Sequence, residues 1–129
     1  MSLRTPLARV RGLGSAKQGV SHWWTQRITA VALIPLTLWF VTSLLVVARA
    51  DYPFVVYWIA QPFNSVLLVA LLVCTFYHAI LGLQVVIEDY VHQEGAKLVS
   101  LVLMKFLLVL AGGAAILAVL RIALGGSHV

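Results

Sequence analysis

FNSVLLVALLVCTFYHAILGLQVVIEDY, residues 63–90, contains no Asp, Glu, Lys or Arg between Phe63 and Ile87. A membrane crossing takes roughly 20 apolar residues, so this run is long enough to span a bilayer. Helix is the form that suits lipid, because no water is present there to satisfy exposed backbone groups. Pro53 and Pro62 lie upstream in the same uncharged stretch and suit a loop better than a span interior, which sets the start near Phe63. Two further runs behave alike. Residues 28–48 lie between Arg27 and Arg49, and residues 98–120 are interrupted only by Lys105. The expected fold is all-α: an integral membrane protein with three transmembrane helices at about 25–48, 63–88 and 97–122. No internal repeat is evident.

Composition agrees. Of the 129 residues 62% are hydrophobic and 10% charged, too little polarity to coat a soluble domain of this size. The net charge of +5 is unevenly placed. Arg4, Arg9, Arg11, Lys17 and Arg27 precede the first span with no acidic residue among them, and positive charge beside a first helix keeps that end in the cytoplasm. The N-terminus is therefore expected to be cytoplasmic, with the loop 88–97 on the same side and the C-terminus outside. Residues 1–129 form one transmembrane domain, of which 1–22 are a basic cytoplasmic arm. Topology accounts for that arm, so the lipid bilayer is an expected partner and nucleic acid is not. An Arg-rich, acid-free arm also suits a mitochondrial transit peptide. A retained arm on a multi-pass protein of the bacterial inner membrane is the simpler expectation.

Several chemistries are excluded. Cys74 is the only cysteine, so the chain by itself can form no internal disulfide and hold no iron–sulfur cluster. Gly12 and Gly14 fall in the basic arm and Gly112–Gly113 inside a span, not in a phosphate-binding loop between strand and helix. No pair of buried carboxylates suggests hydrolysis. Self-contained catalysis is not expected, and no residue is assigned as catalytic.

Ionisable residues at membrane depth are costly and need a reason. His78 precedes Ile87 by nine residues, which places it about 13 Å from the cytoplasmic end at ~1.5 Å per residue. It is either a neutral histidine hydrogen-bonded to a neighbouring helix or a ligand to iron, for which neutral imidazole is well suited. Cys74, His78 and Gly82 are four apart and share a face. Gly82 leaves room one turn from the imidazole for a flat macrocycle or a close partner helix. Asp89 and Tyr90 follow His78 by eleven and twelve residues, bringing Asp89 back to nearly the same face about 16 Å away. These two are a solvated acid and an aromatic-belt tyrosine, or else a quinone site in which the phenol donates to a carbonyl, with Asp89 and Glu88 available for protons. Arg27, beside His22, Trp23 and Trp24, is a topology signal or an anion clamp. Lys105 is within snorkelling reach of the cytoplasmic surface.

His78-Ala79-Ile80-Leu81-Gly82, followed by Asp89-Tyr90, together with Gln26-Arg27-Ile28-Thr29-Ala30 at the start of the first span, resembles the hydrophobic membrane anchor subunit of succinate dehydrogenase, respiratory complex II. The likeness covers nearly the whole chain in topology, and its motifs lie in these two segments. The resemblance implies that His78 is one axial ligand of a haem b whose other ligand comes from a second membrane anchor subunit. It implies that Tyr90 binds a quinone carbonyl with Asp89 beside it, and that Arg27 lies in the haem propionate region, with His22 the candidate histidine of the arm. FAD and iron–sulfur clusters would belong to the flavoprotein and iron–sulfur partner subunits. The same pattern suits the anchor of a quinol:fumarate reductase. A small transporter, or a structural membrane subunit without cofactor, is the contrasting class. Thr37, Thr42, Ser43, Thr75 and Gln84 make no continuous polar lining for a transport path.

Overall fold

The computed structural model describes residues 5–7 and 17–125. Four helices lie wholly within the described residues: α1 (Lys17–Val47), α2 (Tyr52–Ala60), α3 (Pro62–Tyr90) and α4 (Glu94–Ala123). No strand occurs among the described residues. The long helices have 31, 29 and 30 residues, about 43–47 Å each at ~1.5 Å per residue and more than a roughly 30 Å hydrocarbon core requires. All three are long and apolar enough to cross a membrane. The chain is an all-α, multi-pass membrane protein, as its apolar runs imply.

The ends differ from the sequence expectation. α1 begins at Lys17 instead of near residue 25, so residues 17–22, assigned above to the arm, continue the first span as helix. Nothing there stops a helix: Gly19 costs about 1 kcal/mol relative to alanine and no proline intervenes. The rest of the arm, at 1–4 and 8–16, lies outside the described residues. Pro35 sits inside α1, where it removes the N–H that would bond Val31. Membrane helices tolerate such a gap when neighbours satisfy the freed carbonyl.

The segment between the first two spans, expected to be a loop because of its prolines, contains α2. Proline starts a helix more readily than it continues one, since the first helical N–H groups have no partner anyway. Pro53 occupies the first turn of α2, and the Asp51 carboxylate caps it by accepting from the Phe54 N–H at 3.3 Å. Gln61 then takes an extended conformation (φ −63°, ψ 129°) ahead of Pro62, as a residue before proline prefers. Thus Pro62 both ends α2 and opens α3. The Asn64 amide donates to the Trp58 carbonyl at 2.8 Å, and Trp58 stacks on Trp39 with centroids 5.7 Å apart, tying the corner to α1.

α3 is the common partner of the long helices: α1 and α4 each pack along it, without substantial contact to one another, and α2 leans on α3 and α4. Little is buried. Val47, Leu68, Leu81, Thr29 and Ser65 are covered, and so is Gly112, whereas Leu45 is 71% and Val66 67% exposed. Leaving one such side chain in water forgoes about 1.5–3 kcal/mol, so a few dozen would exceed the whole stability of a typical domain. These faces belong against lipid or other apolar helices. Thr42 turns its hydroxyl back onto its own helix, donating to the carbonyls of Leu38 and Trp39 at 2.9 Å each, which pairs the polar atom without a tertiary partner.

Where lipid surrounds the helices, association depends on close packing and not on water exclusion. At Gly112 a Cβ would stand 3.0 Å from Cγ of Phe76 and 3.3 Å from its Cβ, whereas at Gly113 it would meet nothing within 4 Å. Gly112→Ala is therefore expected to weaken the α3–α4 contact by about 1–3 kcal/mol. Gly113→Ala should be near neutral. Thermal unfolding in detergent, comparing the two variants, checks this, and equal effects would count against the Phe76 contact.

Candidate functional site

The polar centre of the molecule lies between α1 and α3. His78, half-buried near the middle of α3, faces the N-terminal half of α1. Its Nδ1 is 3.0 Å from Thr29 Oγ1, and its Nε2 is 3.5 Å from the Gln26 side-chain amide nitrogen. Thr29 Oγ1 also lies 2.8 Å from the Thr25 carbonyl and 3.0 Å from the Gln26 carbonyl. Gly82, one turn along α3, offers no side chain, and a Cβ there would stand 3.7 Å from the same Gln26 nitrogen.

The α1 side of this site is a stripe. His22, Gln26 and Thr29 are spaced i, i+4, i+7 and share a face. His22 Nε2 and Gln26 Oε1 are shut off from solvent and have no hydrogen-bond partner among the described residues. A buried polar atom without a partner costs about 1–3 kcal/mol, so this face calls for polar groups beyond the described residues. Among the described residues no three His, Cys, Asp or Glu side chains gather to hold a bare metal ion. One imidazole, a glycine beside it and two polar atoms needing partners do fit a haem, whose macrocycle brings its own nitrogen donors.

The other residues singled out in the sequence are not brought to His78. Arg27 is exposed, with its guanidinium carbon 5.4 Å from the centroid of the Trp23 ring, a cation–π contact of the kind worth about 0.5–1 kcal/mol at exposed sites. Asp89 and Tyr90 are exposed at the end of α3, Tyr90 by 78%. Glu88 accepts from the Gln84 amide at 2.8 Å. Lys105 is exposed on α4, and Cys74 is half-buried on α3.

Residues 1–112 match the family described as succinate dehydrogenase/fumarate reductase transmembrane subunit. The chain belongs to this family. Among its relatives, the succinate dehydrogenase hydrophobic membrane anchor subunit of Rickettsia bellii is 34% identical over 116 residues, covering 90% of this chain and 93% of that one. The subunit of the same name from Paracoccus denitrificans is 31% identical over 124 residues, or 94% and 93% of the two chains. The succinate dehydrogenase membrane anchor subunit of Reclinomonas americana is 33% identical over 92 residues, 69% and 77% of the two.

For a member of this family, the unforeseen residues are Gln26 and Thr29, which the sequence presents only as parts of a motif. A signal was available, because a polar i, i+4, i+7 stripe in an increasingly apolar helix needs a polar neighbour. The space at Gly82 makes a prediction of its own. Gly82→Ala adds a methyl at ordinary van der Waals distance and should leave the yield of assembled complex in detergent unchanged. Gly82→Leu should displace Gln26 and lower that yield severalfold, and equal yields would show that Gly82 does not set the α1–α3 distance.

Proposed function

We propose that this chain is a membrane anchor subunit of a succinate:quinone oxidoreductase. In that role it holds the flavoprotein and iron–sulfur subunits at the bacterial inner membrane and contributes to the haem b and quinone sites. The observation that carries this reading is His78, which is held at mid-helix against Thr29 and Gln26 in a chain of this family. The relatives are named for succinate dehydrogenase, which favours succinate oxidation over the reverse reaction. The basic residues before the first span favour a cytoplasmic N-terminus and an outside C-terminus. That orientation sets the α3–α4 turn, with Asp89 and Tyr90, on the side where the soluble subunits would dock.

Each residue has a task in this proposal. His78 would hold the haem iron through an imidazole nitrogen, with a second ligand from the other membrane subunit. When bound, a haem supplies one-electron exchange at its iron. Arg27 pairs with propionate carboxylates, for which a guanidinium is well shaped, and His22 lies on the neighbouring face with a nitrogen that needs a partner. Tyr90 donates its phenolic proton in a hydrogen bond to a quinone carbonyl. Asp89, next to it, relays protons as the quinone takes up two electrons and two protons. The exposure of Asp89 and Tyr90 suits a pocket whose other walls belong to partner chains. FAD and iron–sulfur clusters reside in those partners, and this chain's own residues bind, orient and tune.

Two outcomes follow. In the affinity-purified complex, a dithionite-reduced minus oxidised spectrum should show a b-type haem that His78→Leu loses or shifts. A haem indifferent to that change removes His78 as ligand, and a complex with neither haem nor flavoprotein removes the functional assignment. Separately, Tyr90→Phe should reduce quinone reduction about 10²-fold or more, in line with a lost proton-donating contact, while succinate oxidation by a soluble artificial acceptor stays intact. Loss of both activities would indicate disrupted docking instead of a quinone contact.

A further inference from the structure

Thr29 is buried at 8% exposure, and three groups compete for its hydroxyl: the Thr25 carbonyl at 2.8 Å, the Gln26 carbonyl at 3.0 Å and His78 Nδ1 at 3.0 Å. A hydroxyl has one proton and two acceptor lone pairs. Thr25 and Gln26 lie one turn back on the same helix, and their carbonyl oxygens can only accept. Donation to such carbonyls is the usual arrangement for a threonine within a helix. The proton goes to them, so Oγ1 meets His78 as an acceptor and the ring proton must be on Nδ1. A neutral imidazole carries one N–H, which leaves Nε2 with its lone pair.

The far side of the ring is consistent with this assignment. The Gln26 side-chain amide stands 3.5 Å from Nε2, where its nitrogen can donate to a lone pair. The distance is beyond the usual 2.7–3.2 Å range for such bonds, and so weak a contact is easily exchanged for a better one. The opposite tautomer would require the Thr29 proton to leave both carbonyls.

We propose that Thr29 is the positioning residue of His78: its hydroxyl fixes the Nδ1–H tautomer and the ring orientation, presenting the Nε2 lone pair as the ligand atom. This deepens the haem role proposed for His78 and rests on it. Histidines that ligate metals commonly donate their second ring N–H to a fixed acceptor, which orients the ring and makes the ligating nitrogen a stronger electron donor. A stronger donor favours ferric over ferrous iron. The Thr29 hydroxyl therefore lowers the haem midpoint potential as well as holding the ring. His78 alone was legible as a ligand candidate; the residue that decides which of its nitrogens is offered comes from α1, 49 positions earlier.

The test is a spectroscopic redox titration of the haem in the purified complex, comparing wild type with Thr29→Val, Thr29→Ser, Thr29→Ala and His78→Leu. Thr29→Val keeps the shape and removes the hydroxyl. It should raise the midpoint potential and weaken haem retention about tenfold, the lower end of the usual cost of losing such a partner. Thr29→Ser should return both toward wild type. A Thr29→Val complex with the wild-type potential and haem content overturns the proposal. If that variant does not assemble, serine and alanine carry the comparison: serine near wild type with alanine raised supports the role, and equal displacement overturns it. The His78→Leu arm separates the two levels of inference. A haem whose spectrum and potential ignore that substitution removes the ligand role and Thr29's with it. A haem that responds to His78→Leu but not to Thr29→Val removes only the positioning role.

Discussion

Hydrocarbon offers no hydrogen-bond partners, and nearly every feature of this molecule follows from that constraint. Backbone groups pair within long helices because they have no other recourse. The hydroxyls of Thr25, Thr29 and Thr42 turn back onto carbonyls of their own helix, so each polar atom is paired before any tertiary contact forms. What a helix cannot satisfy by itself becomes the tertiary structure's task. The His78 ring nitrogens are the case in point, and the chain answers with side chains from α1.

The same constraint inverts the usual relation between burial and stability. Apolar side chains such as Val31, Leu45 and Val66 face outward, since lipid is as good a solvent for them as a protein core. Helix association then rests on close approach and a few polar contacts. The Gly112–Phe76 contact joins α4 to α3, and the Thr29–His78 hydrogen bond joins α1 to α3. Both contacts fall on α3, the helix against which both other long helices pack.

The site is also asymmetric in how complete it is. The imidazole has the Thr29 hydroxyl 3.0 Å away within the chain, while His22 Nε2 and Gln26 Oε1 have no partner among the described residues. Arg27, Asp89 and Tyr90 point outward. A subunit that contributes part of a cofactor cradle and part of a substrate pocket would be expected to look this way, with its own half ordered and the complementary half left to other chains.

Much of the fold was legible in the amino-acid sequence, and for a simple reason. Charge-free runs of membrane length admit one architecture, so three spans and an all-α fold follow from composition and the places where charge interrupts it. The His78-to-Tyr90 spacing likewise singled out α3, because ionisable groups at depth stand out against apolar neighbours. Local chemistry decided the helix ends less clearly. Pro53 and Pro62 read as breakers, yet each sits in a first turn where a missing N–H costs nothing, and Asp51 supplies the cap that makes α2 a helix. The polar stripe on α1 was there to read, but its pairing with the two ring nitrogens of His78 depended on tertiary structure. Hydrogen bonds between residues about fifty positions apart require the crossing of α1 and α3 to bring donor and acceptor within 3.0 Å, and no local pattern along either helix encodes that distance.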